Sequence, residues 1–72
     1  MQLEPLQVLT YKQPTIRGVE GVVVTLKRWP NECWRYVYGQ PQAGSGSLSE
    51  ADARKVFTEF VAFEEKIGSE LL

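Results

Sequence analysis

The sequence predicts an α+β fold, in which a small antiparallel sheet of two to three strands is covered on one face by a C-terminal amphipathic helix. The first half of the chain holds segments rich in β-branched and aromatic residues, separated by Pro, Asn and Gly, which is typical of short strands joined by turns. In the second half, apolar residues recur every three or four positions over one long segment, which is typical of a helix. With 72 residues, the chain is expected to form a single domain, 1–72.

Three strands are predicted, over 6–12, 19–29 and 33–38. The first lies between Pro5 and Pro14, and proline at both ends suits a strand at the margin of a sheet. The second contains the run Val22–Val24, which strongly favours extended backbone. Pro30, Asn31 and Glu32 then interrupt the pattern, so the second and third strands are expected to form an antiparallel hairpin across this short connection.

A flexible loop is predicted over 39–47, because this segment consists almost entirely of Gly, Ser, Gln and Pro. The helix is predicted over 49–67. Ser49 offers a capping hydroxyl with acidic residues in the first turn, and Gly68 is a natural stop. An overlapping capping box formed by Ser47 and Glu50 is the other possible start. The apolar positions of its pattern are Ala53, Val56, Phe57, Phe60, Val61, Phe63, Ile67 and Leu71.

The composition argues against catalysis. The chain has no histidine and one cysteine, so no imidazole is available to activate Cys33 or a serine as a nucleophile. Glu59, Glu64 and Glu65 are interpreted as acids on the helix surface, and no dense set of oxygen ligands suggests a calcium loop. We therefore expect a protein that is not an enzyme, with no catalytic residues, no metal site and no cofactor.

Charge and hydropathy limit the environment of the protein. Eight Lys and Arg residues against nine Asp and Glu give a net charge of −1, which excludes nucleic-acid binding through bulk positive charge alone. No apolar run approaches the roughly 20 residues that a membrane span needs, and the first residues do not resemble a signal peptide. We expect a complete small gene product in the cytoplasm that does not associate with membranes.

Side-chain alternation divides the two central strands into faces. Val22, Val24, Leu26 and Arg28 share one face of the second strand, and this is the better core face; Val23, Thr25, Lys27 and Trp29 share the other. In the third strand, Trp34, Tyr36 and Tyr38 lie opposite Cys33, Arg35 and Val37.

Two arrangements of the third strand are open. In one, the three aromatic residues pack under the helix, as most aromatic side chains do. In the other, Cys33 and Val37 pack there and the aromatic residues lie on the uncovered face of the sheet. The first arrangement is the commoner one for aromatic residues, but the helix already supplies three phenylalanines to a small core, so the second stays open as the alternative.

The leading functional hypothesis is a small non-enzymatic interaction protein that binds a macromolecular partner, most readily a protein, as an accessory protein or a phage-type inhibitor or regulator. Trp, Tyr and Arg dominate the energetics of protein interfaces. The candidate partner-binding residues are Lys27, Arg28, Trp29, Trp34, Arg35, Tyr36 and Tyr38. The alternative is a nucleic-acid-binding module, because basic and aromatic residues interleaved on one sheet face suit base stacking combined with phosphate contact.

Homodimer formation is a further hypothesis for partners of this chain. Phe57 and Val61 lie at one margin of the apolar sector of the helix, and Leu71 and Leu72 have no evident cover. A second copy could bury these four residues.

Overall fold

Over residues 4–72 the fold consists of a five-stranded antiparallel sheet and one helix, which confirms the α+β class. The structure is a computed structural model and describes residues 4–72; residues 1–3, on which the signal-peptide prediction partly rests, lie outside it. The elements in chain order are β1 (Gln7–Lys12), β2 (Val23–Trp29), β3 (Glu32–Val37), β4 (Gln40–Ser45), α1 (Glu50–Lys66) and β5 (Glu70–Leu71).

The strands lie in the order β4-β3-β2-β1-β5, and each neighbouring pair is antiparallel. Trp29 pairs with Glu32, so Pro30 and Asn31 alone form the turn of the predicted hairpin. The next turn, at Tyr38 and Gly39, has φ values of +50° and +78°. Positive φ at both central positions is typical of a type I′ hairpin turn.

The predicted number of strands is too low, since the sheet has five rather than two to three. The prediction of a flexible loop over 39–47 is wrong for Gln40–Ser45, which form β4. These residues have low intrinsic strand propensity, and pairing with β3 holds them extended. The second strand begins at Val23 instead of residue 19, because Ile16 and Val19 form a separate small bridge.

The helix lies within one residue of its predicted ends. The Asp52 N–H donates to Ser49 Oγ at 3.1 Å, which satisfies one of the unpaired amides at the start of a helix. Beyond Ile67, Gly68 adopts a φ of +82° and ends the helix in the usual way. These local signals act within a few residues, which is why the sequence predicts the helix so well.

The core lies between α1 and the central strands β2 and β3. Its buried members are Tyr11, Val24, Leu26, Cys33 and Phe57. Val56, Phe60 and Val61 pack against this cluster from the helix, so little room remains for further rings. The arrangement with Trp34, Tyr36 and Tyr38 under the helix is therefore wrong, and Cys33 and Val37 face the helix instead.

Candidate functional site on the uncovered sheet face

The sheet face opposite the helix, here called the open face, carries two rows of side chains that cross the strands. One row is Val8, Lys27, Trp34 and Gly44, and the next is Thr10, Thr25, Tyr36 and Pro41. Directly paired residues share a face in antiparallel sheets. The two rows are adjacent, so the open face brings one indole, one phenol and one ammonium group together.

Contacts within the open face hold its aromatic side chains in place. The Trp34 indole N–H donates to Glu32 Oε1 at 2.8 Å. Gly44 leaves space for the Trp34 ring, since a Cβ there would lie 3.0 Å from Trp34 Cε3. Lys27 Nζ lies 4.9 Å from the centre of the Tyr36 ring, within cation–π range. Both rings are half-buried, so each presents a partly exposed surface in a fixed orientation.

Three of the seven candidate partner-binding residues lie together on the open face: Lys27, Trp34 and Tyr36. Tyr38 lies beside them in the β3–β4 turn and is 66% exposed. Trp29 belongs to the same face by alternation, but its side chain is 9% exposed and offers little area to a partner. The candidate site therefore narrows to Lys27, Trp34 and Tyr36, with Tyr38 at its margin.

The two candidate arginines lie on the opposite face of the sheet, beneath the helix. Arg28 alternates with Val24 and Leu26 and is 6% exposed. Arg35 lies on the Cys33 side of β3, and its side chain is 15% exposed. The prediction that these two arginines line the same surface as the aromatic residues is therefore wrong, because period-two alternation separates them.

Glu64 is the residue that sequence reasoning misplaced. The prediction of a surface acid at this position is wrong, because Glu64 is completely buried in α1. Ser69 Oγ donates to its Oε1 at 2.8 Å, Gln13 Nε2 donates to the same oxygen at 3.3 Å, and Arg35 Nε lies 3.7 Å from Oε2. The spacing in the sequence indicates this burial. Glu64 follows Phe57 by seven residues and Phe60 by four, and this spacing places it on the core side of the helix.

Burial controls the chemistry of Cys33. The thiol is enclosed beneath the helix, and this desolvation raises its pKa to about 11, although the neighbouring Arg28 charge acts in the opposite direction. Removing a thiol from water disfavours the thiolate, which is the nucleophilic form. Cys33 is therefore protonated at neutral pH and contributes to packing.

The residues of the homodimer hypothesis lie in different environments. Phe57 is buried in the core and is not available to a second copy. Val61 is half-buried on α1, whereas Leu71 and Leu72 are exposed at the β5 end of the chain. The surface of the homodimer hypothesis therefore does not include Phe57, the largest of its four side chains.

Comparisons with known proteins return no match: no family model, no curated protein and no solved structure resembles this chain. Among residues 4–72, no three His, Cys, Asp or Glu residues are grouped so that they could hold a metal ion. The helix in that part of the chain is not long and apolar enough to cross a membrane.

Proposed function

We propose that this chain is a non-enzymatic interaction protein that binds a protein partner through the open face of its sheet. One observation supports the proposal above all: the helix packs on one side of the sheet, while Trp34, Tyr36 and Lys27 stand partly exposed on the other. Aromatic side chains are enriched at the centres of protein interfaces, where truncation of one residue costs about 2 kcal/mol or more. Their fixed orientation reduces the entropy lost on binding.

The distribution of charge favours a protein partner over a nucleic acid. Of the three basic residues expected beside the aromatic rings, Arg28 and Arg35 lie under the helix, which leaves Lys27. Lys12, at the end of β1, forms an ion pair with Glu20 at 3.1 Å. A surface that binds nucleic acid neutralises several phosphates, and the open face lacks the density of positive charge for that.

The proposed mode of action is occupation of a partner's surface. A partner with apolar groups to cover Trp34 and Tyr36, and an acceptor for Lys27, would complement this face. Such an accessory protein, or an inhibitor of the phage type, needs no chemistry of its own. We expect it to act in the cytoplasm.

Affinity purification from the native host tests this function. The tagged chain is compared with the variant W34T/Y36T, in which threonine keeps strand propensity while both rings are removed. F63A is the matched control, because Phe63 is an aromatic residue of α1 that is 49% exposed. We expect one protein to co-purify with the wild type and F63A and to be lost with W34T/Y36T.

The interaction is then measured with both purified proteins by calorimetry. We expect W34T/Y36T to weaken binding by about a hundredfold or more, the equivalent of roughly 3 kcal/mol. An unchanged affinity for this variant contradicts the proposal. Binding of a labelled oligonucleotide that weakens steeply with salt would indicate the nucleic-acid alternative instead.

A further inference from the structure

A pocket on the helix side of the sheet has a composition that points to a ligand. It lies between the start of β1, the end of β2 and the first half of α1, and its volume is about 510 Å³. Volumes of this size are typical of sites for small molecules. Its walls include Leu9, Arg28, Arg54, Phe57, Thr58 and Val61. The pocket is separate from the open face, since Arg28 and Phe57 both belong to the helix-covered side.

The floor of the pocket contains a buried positive charge that the fold does not neutralise. Arg28 is 6% exposed, and its Nε–H donates to Gln7 Oε1 at 2.6 Å. Its Nη1 is buried and has no hydrogen-bond partner among residues 4–72. The ion pairs found in the same range involve Lys12, Arg35 and Arg54, and none involves Arg28. A buried guanidinium is costly unless an anion or several acceptors lie against it.

A second arginine stands on the helix wall of the same pocket. Arg54 Nη2 donates to Glu50 Oε1 at 2.8 Å, and its side chain is otherwise well exposed. Because a guanidinium has five N–H groups, this bond leaves donors for another acceptor. Thr58 adds a hydroxyl to the same wall.

The remaining wall of the pocket is apolar. Leu9 of β1 faces Phe57 and Val61 of α1 across it. An inorganic anion would satisfy the arginines and leave these three side chains uncovered. An apolar molecule would cover them and leave the Arg28 guanidinium without an opposite charge. A molecule that carries an anionic group and an apolar part would contact both the arginines and the apolar side chains.

We propose that this pocket binds a carboxylate joined to an apolar body, with the carboxylate between Arg28 and Arg54 and the apolar part against Leu9, Phe57 and Val61. The planar fork of arginine matches a carboxylate. A monoanion balances the single buried guanidinium, whereas a phosphate dianion would bring a second charge into a half-apolar pocket. The carboxylate could belong to a free aliphatic acid or to the C-terminus of a peptide that ends in an apolar residue.

Titration of the full-length protein with sodium octanoate, followed by NMR chemical shifts of the backbone amides, tests the proposal. Octanol and inorganic phosphate are titrated in parallel at constant ionic strength. We expect octanoate to shift amides of Gln7, Arg28 and Thr58 and to bind at least about tenfold more tightly than either of the other two, the factor that one charged hydrogen bond contributes. Equal binding of octanol, or equal binding of phosphate, overturns the proposal.

Two variants and a control locate the site. R28M removes the buried charge but keeps an unbranched side chain, and R54Q changes a residue of α1 whose side chain is 66% exposed. We expect each to weaken octanoate binding by about tenfold or more, while K55Q, the same loss of charge one position along α1, leaves it unchanged. If R28M does not fold, R54Q still decides the outcome, since unchanged affinity in R54Q contradicts the proposed carboxylate position.

The two sources of the carboxylate are distinguished with short peptides that end in leucine. One has a free C-terminal carboxylate and the other a C-terminal amide. Competition with octanoate by the free peptide alone assigns the site to a protein C-terminus. If neither peptide competes while octanoate binds, the ligand is a free aliphatic acid.

Discussion

At the scale of single residues, the buried thiol of Cys33 makes stability depend on alkaline pH. Burial raises its pKa from the ordinary value of 9.0 to about 11. The folded-state pKa is thus the higher one, so this stabilisation is fully present below pH 9 and is lost as pH rises towards 11. We expect the free energy of unfolding to fall by about 2–3 kcal/mol over this range, at roughly 1.4 kcal/mol per pKa unit.

Urea unfolding of the wild type and C33A between pH 8 and 11 measures this effect. Burial and the charges of Glu65 and Glu64 also raise the pKa of Tyr11, and that contribution persists in C33A. The difference between the two proteins therefore isolates Cys33. Parallel stability curves for the two proteins would show that the thiol does not titrate differently in the folded state.

Gly44 is a second residue on which the local structure depends. Its φ is +136°, and a Cβ there would lie 2.8 Å from Trp34 Cα and against the Cys33 carbonyl oxygen. We expect G44A to reduce the free energy of unfolding by about 1–3 kcal/mol, through overpacking and backbone strain. G46A is the matched control, because a Cβ at Gly46 meets nothing within 4 Å; it should change stability by roughly 0.5 kcal/mol or less. Equal losses in the free energy of unfolding for G44A and G46A, measured by urea unfolding, would contradict this prediction.

At the scale of elements, the contact between Glu64 and Arg35 ties the second half of α1 to β3. E64L leaves the largely buried Arg35 guanidinium without its counter-ion, and R35M leaves the buried Glu64 carboxylate with Ser69 and Gln13 but without the opposite charge, so we expect each to cost about 3 kcal/mol. The double variant replaces the pair with apolar groups of similar size and should cost less than the two single changes together, with a coupling of at least about 1 kcal/mol. A double-mutant cycle by urea unfolding measures the coupling, and strict additivity would show that the pair does not interact.

The elements that the sequence predicts well are those whose own residues favour them. The valine run of β2, the caps of α1 and the Pro30-Asn31 turn act locally, and each appears in the structure close to its predicted place. β4 has no such signal, since its extended backbone depends on pairing with β3, and β5 is two residues long. Pairing with another strand is a tertiary effect that the residues of the segment alone do not display.

At the scale of the whole molecule, one helix on one side of a sheet leaves Trp34 and Tyr36 outside the core. We expect W34T/Y36T to remain folded, with a loss of stability of about 2–3 kcal/mol from the partly buried rings. The measurement is thermal unfolding followed by circular dichroism, with F57A as the comparison. F57A removes a core ring and should cost about 3–5 kcal/mol. An unfolded W34T/Y36T protein beside a folded F57A protein would reverse the assignment of core and surface.

The candidate site could be predicted only in part. Alternation correctly separates Trp34 and Tyr36 from Cys33 and Val37, but it does not say which set lies beneath the helix. The packing of the helix determines which set is covered, because Phe57 and its neighbours already fill the space over β2 and β3. Because Arg28 and Arg35 share a sheet face with the residues that pack against the helix, they lie beneath it as well. The open face therefore carries less positive charge than the sequence predicts.

The pairing of β5 with β1 joins the two strands that are farthest apart in the sequence. The other three strand pairs are hairpins or near neighbours along the chain, and short connections close quickly. β5 covers only part of the outer edge of β1: Tyr11 pairs with Leu71, Lys12 pairs with Glu70, and the Leu72 N–H donates to the Thr10 carbonyl oxygen. Cleavage after residue 69 would remove this pairing and lengthen the unpaired edge of β1, so we expect edge-to-edge association of the truncated molecules.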